Sequence, residues 1–245
     1  MSDTHSHPHS HEQSRHRISN LQEYLGEFVY GGIDGCVTTF AVVAGSAGAD
    51  LSVNVVLILG FANLLADGFS MSVGAYLSTQ SDRDQYFKHE RIEYQEIEEI
   101  PEMERQEVRE IYQRKGFEGE LLEQVVDVIT ADKDRWVDEM MKNELEMVLE
   151  TKSPLAIGGI TFLSFVLVGL IPMLAYLFDW GAEGNSRFMV ACVLTSLGFA
   201  LVGWLKAYIN HTSRLRSVLE TLFLGGSAAA VSYFVGDVLA RIITG

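Results

Sequence analysis

The chain has 245 residues, 33 of them acidic and 18 basic, with a formal net charge of −15 and 48% hydrophobic residues. That balance argues against a nucleic-acid binder, which needs clustered Lys and Arg to displace phosphate counterions, and it favours cations as partners. The charge is unevenly placed: residues 82–152 hold 22 acids and 11 bases, leaving 11 and 7 for the other 174 residues, whose apolar runs exclude a single soluble domain.

Residues 1–17 carry His5, His7, His9, His11 and His16 among polar residues, a composition that cannot bury a core and predicts a disordered tail. Neutral imidazole is a common metal ligand, so His5, His7, His9 and His11 are candidates for metal capture. The tail lacks the apolar stretch of a cleavable signal peptide. Over 18–28, Ile18, Leu21, Leu25 and Phe28 recur at three and four residues opposite Gln22, Glu23 and Glu27, which predicts an amphipathic helix on the membrane surface.

Five apolar segments, 29–49, 53–77, 154–178, 188–208 and 219–240, predict five transmembrane helices. With five spans, Arg15, Arg17, Arg83, Lys88, Lys152, Lys206, Arg214 and Arg216 fall on one side, and only Arg187 and Arg241 on the other. The positive-inside rule then makes the amino terminus and acidic segment cytoplasmic and puts the carboxyl terminus outside. Gly31 and Gly35 form a GxxxG, and Ser70, Gly74 and Ser78 repeat at four, predicting close helix approach, including between subunits. Cys36 and Cys192 lie within apolar runs and indicate neither a disulfide framework nor a thiolate zinc site.

The acidic segment is divided by Pro101 and by Lys115-Gly116 into three predicted helices, the last carrying Trp136, Val137, Met140, Met141, Leu145 and Met147. The domain organisation is a tail (1–17), an amphipathic helix with spans 1 and 2 (18–81), a cytoplasmic acidic domain (82–152) and spans 3 to 5 (153–245). The fold class is thus an all-α integral membrane protein with a cytoplasmic three-helix domain inserted between its second and third spans.

Two sets of residues carry candidate chemistry. Glu96 and Glu99, and Glu107 and Glu110, are spaced by three on either side of Pro101, so a bend there brings four carboxylates together around a cation. Glu144 adds a carboxylate, and Met140 and Met141 add thioethers, which favour a transition metal over magnesium or calcium. The competing reading is a solvated acidic face with a methionine core. Within the spans stand Asp34, Asn63 and Asp67. Intramembrane charges cost about 2.5 to 3.5 kcal/mol each and mark ion or proton paths. Met71 lies one turn beyond Asp67, on the same face.

The run Asp34-Gly35-Cys36-Val37-Thr38-Thr39-Phe40 with Ala44-Gly45, the ANLLADGFSMSVGAY of residues 62–76, the paired glutamates and the Met-Met-x-x-Glu ending at Glu144 resemble the vacuolar iron transporter family. The resemblance implies a transporter, not an enzyme: a homodimer of five-span subunits that exports ferrous iron, Fe(2+), from the cytosol in exchange for protons. It implies iron collection by Glu96, Glu99, Glu107, Glu110, Met140, Met141 and Glu144, and a pathway through Asp34 and Met71. The family's second-span glutamate falls on Asn63, which carries no proton, and Asp67 is the nearest substitute. The alternatives are a manganese, cobalt or zinc exporter of the same fold, since such ligands do not separate Mn(2+), Co(2+), Zn(2+) and Fe(2+), and a membrane-anchored protein that oxidises or stores iron. The latter lacks the Glu-x-x-His of di-iron bundles, because Tyr86 stands three before His89. A membrane-anchored metal sensor would not need Asp34 or Asp67. A prokaryotic cytoplasmic membrane is the expected location.

Overall fold

A computed structural model describes residues 24–178 and 185–244. The histidine tail, most of the predicted amphipathic helix and part of the connection between the third and fourth spans lie outside the described residues. Every regular element among the described residues is helical: α1 (Leu25–Gly48), α2 (Val53–Glu99), α3 (Pro101–Arg114), α4 (Gly119–Thr130), α5 (Lys133–Asn143), α6 (Pro154–Gly169), α7 (Leu174–Leu177), α8 (Asn185–Asn210) and α9 (Arg214–Thr244). Five helical stretches are long and apolar enough to cross a membrane: α1, the apolar part of α2, 154–177, α8 and α9. The chain divides into two compact units, one of residues 1–76 with 155–245, the other Leu77–Pro154.

In the membrane unit, α1 lies at the centre of the packing. A Cβ on Gly35 would collide with the Phe165 carbonyl of α6, and one on Gly48 with the Tyr233 carbonyl of α9. Small residues therefore let two helices approach the backbone of α1. The Gly31-Gly35 motif is consumed inside the subunit, against Thr161, Ser164 and Phe165, rather than between subunits. The Ser70, Gly74, Ser78 stripe is exposed, and nothing lies within 4 Å of where a Gly74 side chain would stand. Hydroxyls tie the helices where water cannot: Ser72 Oγ donates to the Gly158 carbonyl (2.8 Å) and Thr221 Oγ1 to the Phe199 carbonyl (3.1 Å).

The α1–α2 turn closes with a left-handed residue, Asp50 (φ 52), whose N–H reaches the Ala47 carbonyl while Leu51 N–H reaches that of Ser46. The third span is not one continuous helix. Pro172 has no N–H to continue the ladder, so a 3₁₀ turn (Ile171–Met173) separates α6 from α7.

The acidic unit departs from the predicted three helices. No Gly or Pro stands between Leu77 and Asp82, so α2 runs on unbroken through 47 residues to Glu99. It is followed by three further helices. Pro101 and the left-handed Gly116 (φ 94) make the breaks expected of them. The additional break falls at Asp132, whose carboxylate caps α5 by accepting the Arg135 N–H at 2.9 Å. The core joins Ile97, Val108, Ile111, Val126, Trp136, Met140 and Met141. Ion pairs surround it: Arg109 grips Glu123 with two bonds of 2.8 Å, Arg105 pairs with Asp127, Lys133 with Glu98, and Lys115 with Glu139.

Candidate metal centre

Three elements of the acidic unit aim carboxylates at one point. Glu93 comes from α2, Glu104 from the first turn of α3 beyond the break at Pro101, and Glu144 from the residue that follows α5. One carboxylate oxygen from each lies within 4.8 Å of the others. Glu93 and Glu104 are each only 3% exposed, and Oε2 of each is buried with no hydrogen-bond partner among the described residues. Desolvated, unpartnered carboxylate oxygens are costly unless a cation or a proton joins them.

Burial first, and then the neighbouring carboxylates, push Glu93 and Glu104 up to about 7. Glu107 and Glu144 are raised by the same causes. Glu96 belongs to this field, because its charge acts on Glu93, Glu104, Glu107 and Glu144. The set offers hard oxygen donors to a divalent cation.

The predicted quartet is thus only half assembled. Glu96 and Glu107 sit at the cluster, but Glu99 and Glu110 are exposed, and Glu110 accepts a bond from Gln106 Nε2 (3.1 Å). Helix geometry supplies the reason. A step of three residues rotates a side chain by about 60° short of a full turn, so Glu99 stands about 120° from Glu93, as Glu110 does from Glu104. The residues that spacing missed, Glu93 and Glu104, had a signal: each lies one turn before a buried aliphatic residue of the core, Ile97 and Val108. Met140 and Met141 are fully buried in the apolar core just before Glu144, whose N–H bonds to the Met140 carbonyl at 3.0 Å.

In the membrane unit, Asp34 is half-buried and lines a groove with Val37, Leu224, Ser227 and Val231. It is close enough to Asp67 for the two charges to interact. Asp67 is exposed on the surface of an apolar helix. Asn63 is partly buried, and its Nδ2 has no partner among the described residues. Met71 packs against the cluster of Val43, Leu64, Phe165 and Met173. Near the end of α9, Asp237 pairs with Arg241 one turn on.

Five helices long and apolar enough to cross a membrane, with a second unit in which three carboxylates converge, define a helical membrane protein. Residues 25–237 match the VIT family. Similar proteins include the vacuolar iron transporter of Toxoplasma gondii, 34% identical over 240 residues (95% of this chain, 80% of that one). Vacuolar iron transporter 1 of Arabidopsis thaliana is 31% identical over 218 residues (89% and 86%). The vacuolar iron transporter of Plasmodium falciparum is 29% identical over 231 residues (91% and 85%). The chain belongs to the VIT family and is a transporter rather than an enzyme.

Proposed function

We propose that this protein exports ferrous iron from the cytosol in exchange for protons, working as a homodimer in a prokaryotic cytoplasmic membrane. The observation that carries the reading is the convergence of Glu93, Glu104 and Glu144 with buried carboxylate oxygens left unpartnered. Such a cluster holds either protons or a divalent ion, and Glu96 and Glu107 add charge that draws the ion in. Met140 and Met141 would add soft donors that favour a transition metal. The relatives' names specify iron.

From this collector iron passes to Asp34 and Met71, with Asn63 and Asp67 lining the same helix face. Because Asn63 cannot carry a proton, Asp34 and Asp67 are the carboxylates assigned to proton exchange. A second copy of the chain is the cover for Asp67 and the Ser70, Gly74, Ser78 stripe, since an uncovered carboxylate would face hydrocarbon. The Lys and Arg bias supports a cytoplasmic amino terminus and acidic unit, with the carboxyl terminus outside.

The test is metal uptake into proteoliposomes under an imposed pH gradient, comparing Fe(2+) with Mn(2+), Co(2+) and Zn(2+). Fe(2+) is expected to move fastest and to drive proton counterflow, and Asp34→Ala is expected to abolish both. Preference for another metal would reassign the cargo, and full transport by Asp34→Ala would remove Asp34 from the path. Proton flux unchanged in Asp67→Asn would place the coupling elsewhere.

A further inference from the structure

Outside the metal centre and the Asp34 groove, the membrane unit holds a cavity of about 400 Å³ where α8 meets α9. Its walls include Lys206 and Asn210 of α8, Thr212 and Ser213 of the turn, and Arg216 and Glu220 of α9. The turn is fixed by the left-handed His211 (φ 51), after which Thr212 N–H closes on the Ala207 carbonyl at 3.1 Å. One carboxylate arms the cavity from both helices: Glu220 accepts from Lys206 Nζ (3.2 Å) and from Arg216 Nε (2.9 Å). Arg214 adds a third cation, exposed and outside that bridge. Two cations against one acid leave the lining of the cavity positive, and Arg214, at the start of α9 but outside the lining, adds to the positive charge of the turn.

Orientation alone accounts for basic residues at a helix end, but not for a cavity lined with an amide and hydroxyls beside them. The surroundings add an amphipathic context. Trp204 and Tyr208 stack at 6.1 Å and are 45% and 52% exposed, the placement of aromatic residues at a membrane–water interface. Leu215 and Leu219 of α9 are exposed as well, apolar surface beside a cationic, hydroxyl-lined cavity.

We propose that this cavity binds the phosphate-bearing headgroup of an anionic phospholipid, with Lys206 and Arg216 meeting the phosphate, Arg214 attracting it from the adjoining surface and the exposed leucines meeting the acyl chains. Glu220 positions two of the cations and competes with the phosphate for them. That competition separates a lipid site from a purely structural ion bridge, because the two predict opposite signs for Glu220.

The experiment uses the full-length protein in a neutral detergent. Dioctanoyl phosphatidylglycerol, dioctanoyl phosphatidylcholine and inorganic phosphate are each titrated, with bound lipid counted by native mass spectrometry and melting temperature followed in parallel. Phosphatidylglycerol is expected to bind and to raise the melting temperature, and the other two are expected to do neither. Arg216→Gln, Lys206→Gln and Arg214→Gln should each weaken phosphatidylglycerol about fivefold, the worth of one basic residue near an anionic surface. Arg214→Gln breaks no bridge and so tests the site without a folding penalty. Glu220→Gln should bind phosphatidylglycerol more tightly than wild type. Equal binding of the two lipids, or Glu220→Gln weakening binding in step with Arg216→Gln, would overturn the proposal. So would saturation by inorganic phosphate alone, which would make the cavity a free-anion site.

Discussion

The two units of this chain bury polar groups of different kinds. The membrane unit ties its helices with hydroxyls that donate to neighbouring carbonyls and with glycines that let backbones approach, and the atoms it leaves unpartnered among the described residues at Thr39, Asn63 and Thr195 belong to neutral groups. The acidic unit leaves carboxylate oxygens of Glu93 and Glu104 buried and unpartnered, and surrounds them with an apolar core and ion pairs. Unsatisfied buried acids are tolerated only where the surrounding structure fixes them and a ligand offsets the cost. The contrast separates packing, which any substitution of the right size preserves, from a site whose removal should stabilise the protein it disables.

The largest effect is expected where packing fails. Gly35→Leu places a side chain into the Phe165 carbonyl of α6, a backbone clash that no rotamer relieves. Folded protein recovered from detergent should fall severely, as size-exclusion chromatography would show, whereas Gly159→Ala, with open space around it, should behave as wild type. Equal yields of the two would mean that α1 and α6 do not meet as described.

The next comparison sets the two units against each other. Glu93→Gln and Glu104→Gln should each lower the affinity of the purified protein for Fe(2+), measured anaerobically, by tenfold or more. The same changes should make the metal-free acidic unit more stable at pH 8, by on the order of 3 kcal/mol at most, since each acid is held near 7 instead of its usual 4.5. Glu99→Gln and Glu110→Gln, both exposed, should change neither quantity appreciably. A residue that merely packs loses stability when altered, and so the opposed signs identify the site.

Much of this was legible in the residues, and the misses have physical causes. Five spans follow from hydropathy because a bilayer demands about 20 apolar residues, whatever the packing. The break inside the third span was equally present, as Pro172, but an apolar run hides a proline from a count of hydropathy. The direction of Gly31-Gly35 was not legible, because a small-residue face does not say which helix fills it. In the acidic segment the glutamates form a series at 93, 96 and 99 and another at 104, 107 and 110, and period three alone fits either end of each. What separates Glu93 and Glu104 from Glu99 and Glu110 is that each lies one turn before a buried core residue, Ile97 and Val108, whereas Met103 and Arg114 stand one turn beyond the other two, a matter of packing rather than of charge. Asp132 was overlooked as a helix start because α4 and α5 abut without Gly or Pro.

A pH series sharpens the comparison at a smaller scale. Glu93 and Glu104 have folded values near 7, above the usual 4.5. Below about 4.5 both states hold the protons, and the full contribution to stability is present. As pH rises towards 7 the unfolded chain releases protons that the folded one retains, so stability is lost, and it levels off above 7. Hydrogen exchange in α3 and α5 of the metal-free protein, corrected for intrinsic rate, should therefore quicken between pH 5 and 8. Saturating Fe(2+) should flatten that dependence.

The smallest effect concerns the boundary that spacing overlooked. Asp132 caps α5 through one bond to the Arg135 N–H, and Asp132→Ala removes it at a cost of about 1 kcal/mol. The loss falls at the opposite end of α5 from Glu144, which is held by its own N–H bond to the Met140 carbonyl and by the buried Met140 and Met141. The substitution should therefore speed exchange in the first turn of α5 while leaving iron affinity within twofold of wild type. If affinity fell with the cap, Glu144 would depend on the whole length of α5, and the division between a rigid core and a locally held ligand would have to be redrawn. If neither quantity moved, the start of α5 would owe its place to the Lys133–Glu98 pair and the Tyr94–Asp134 bond, which fasten the same turn to α2.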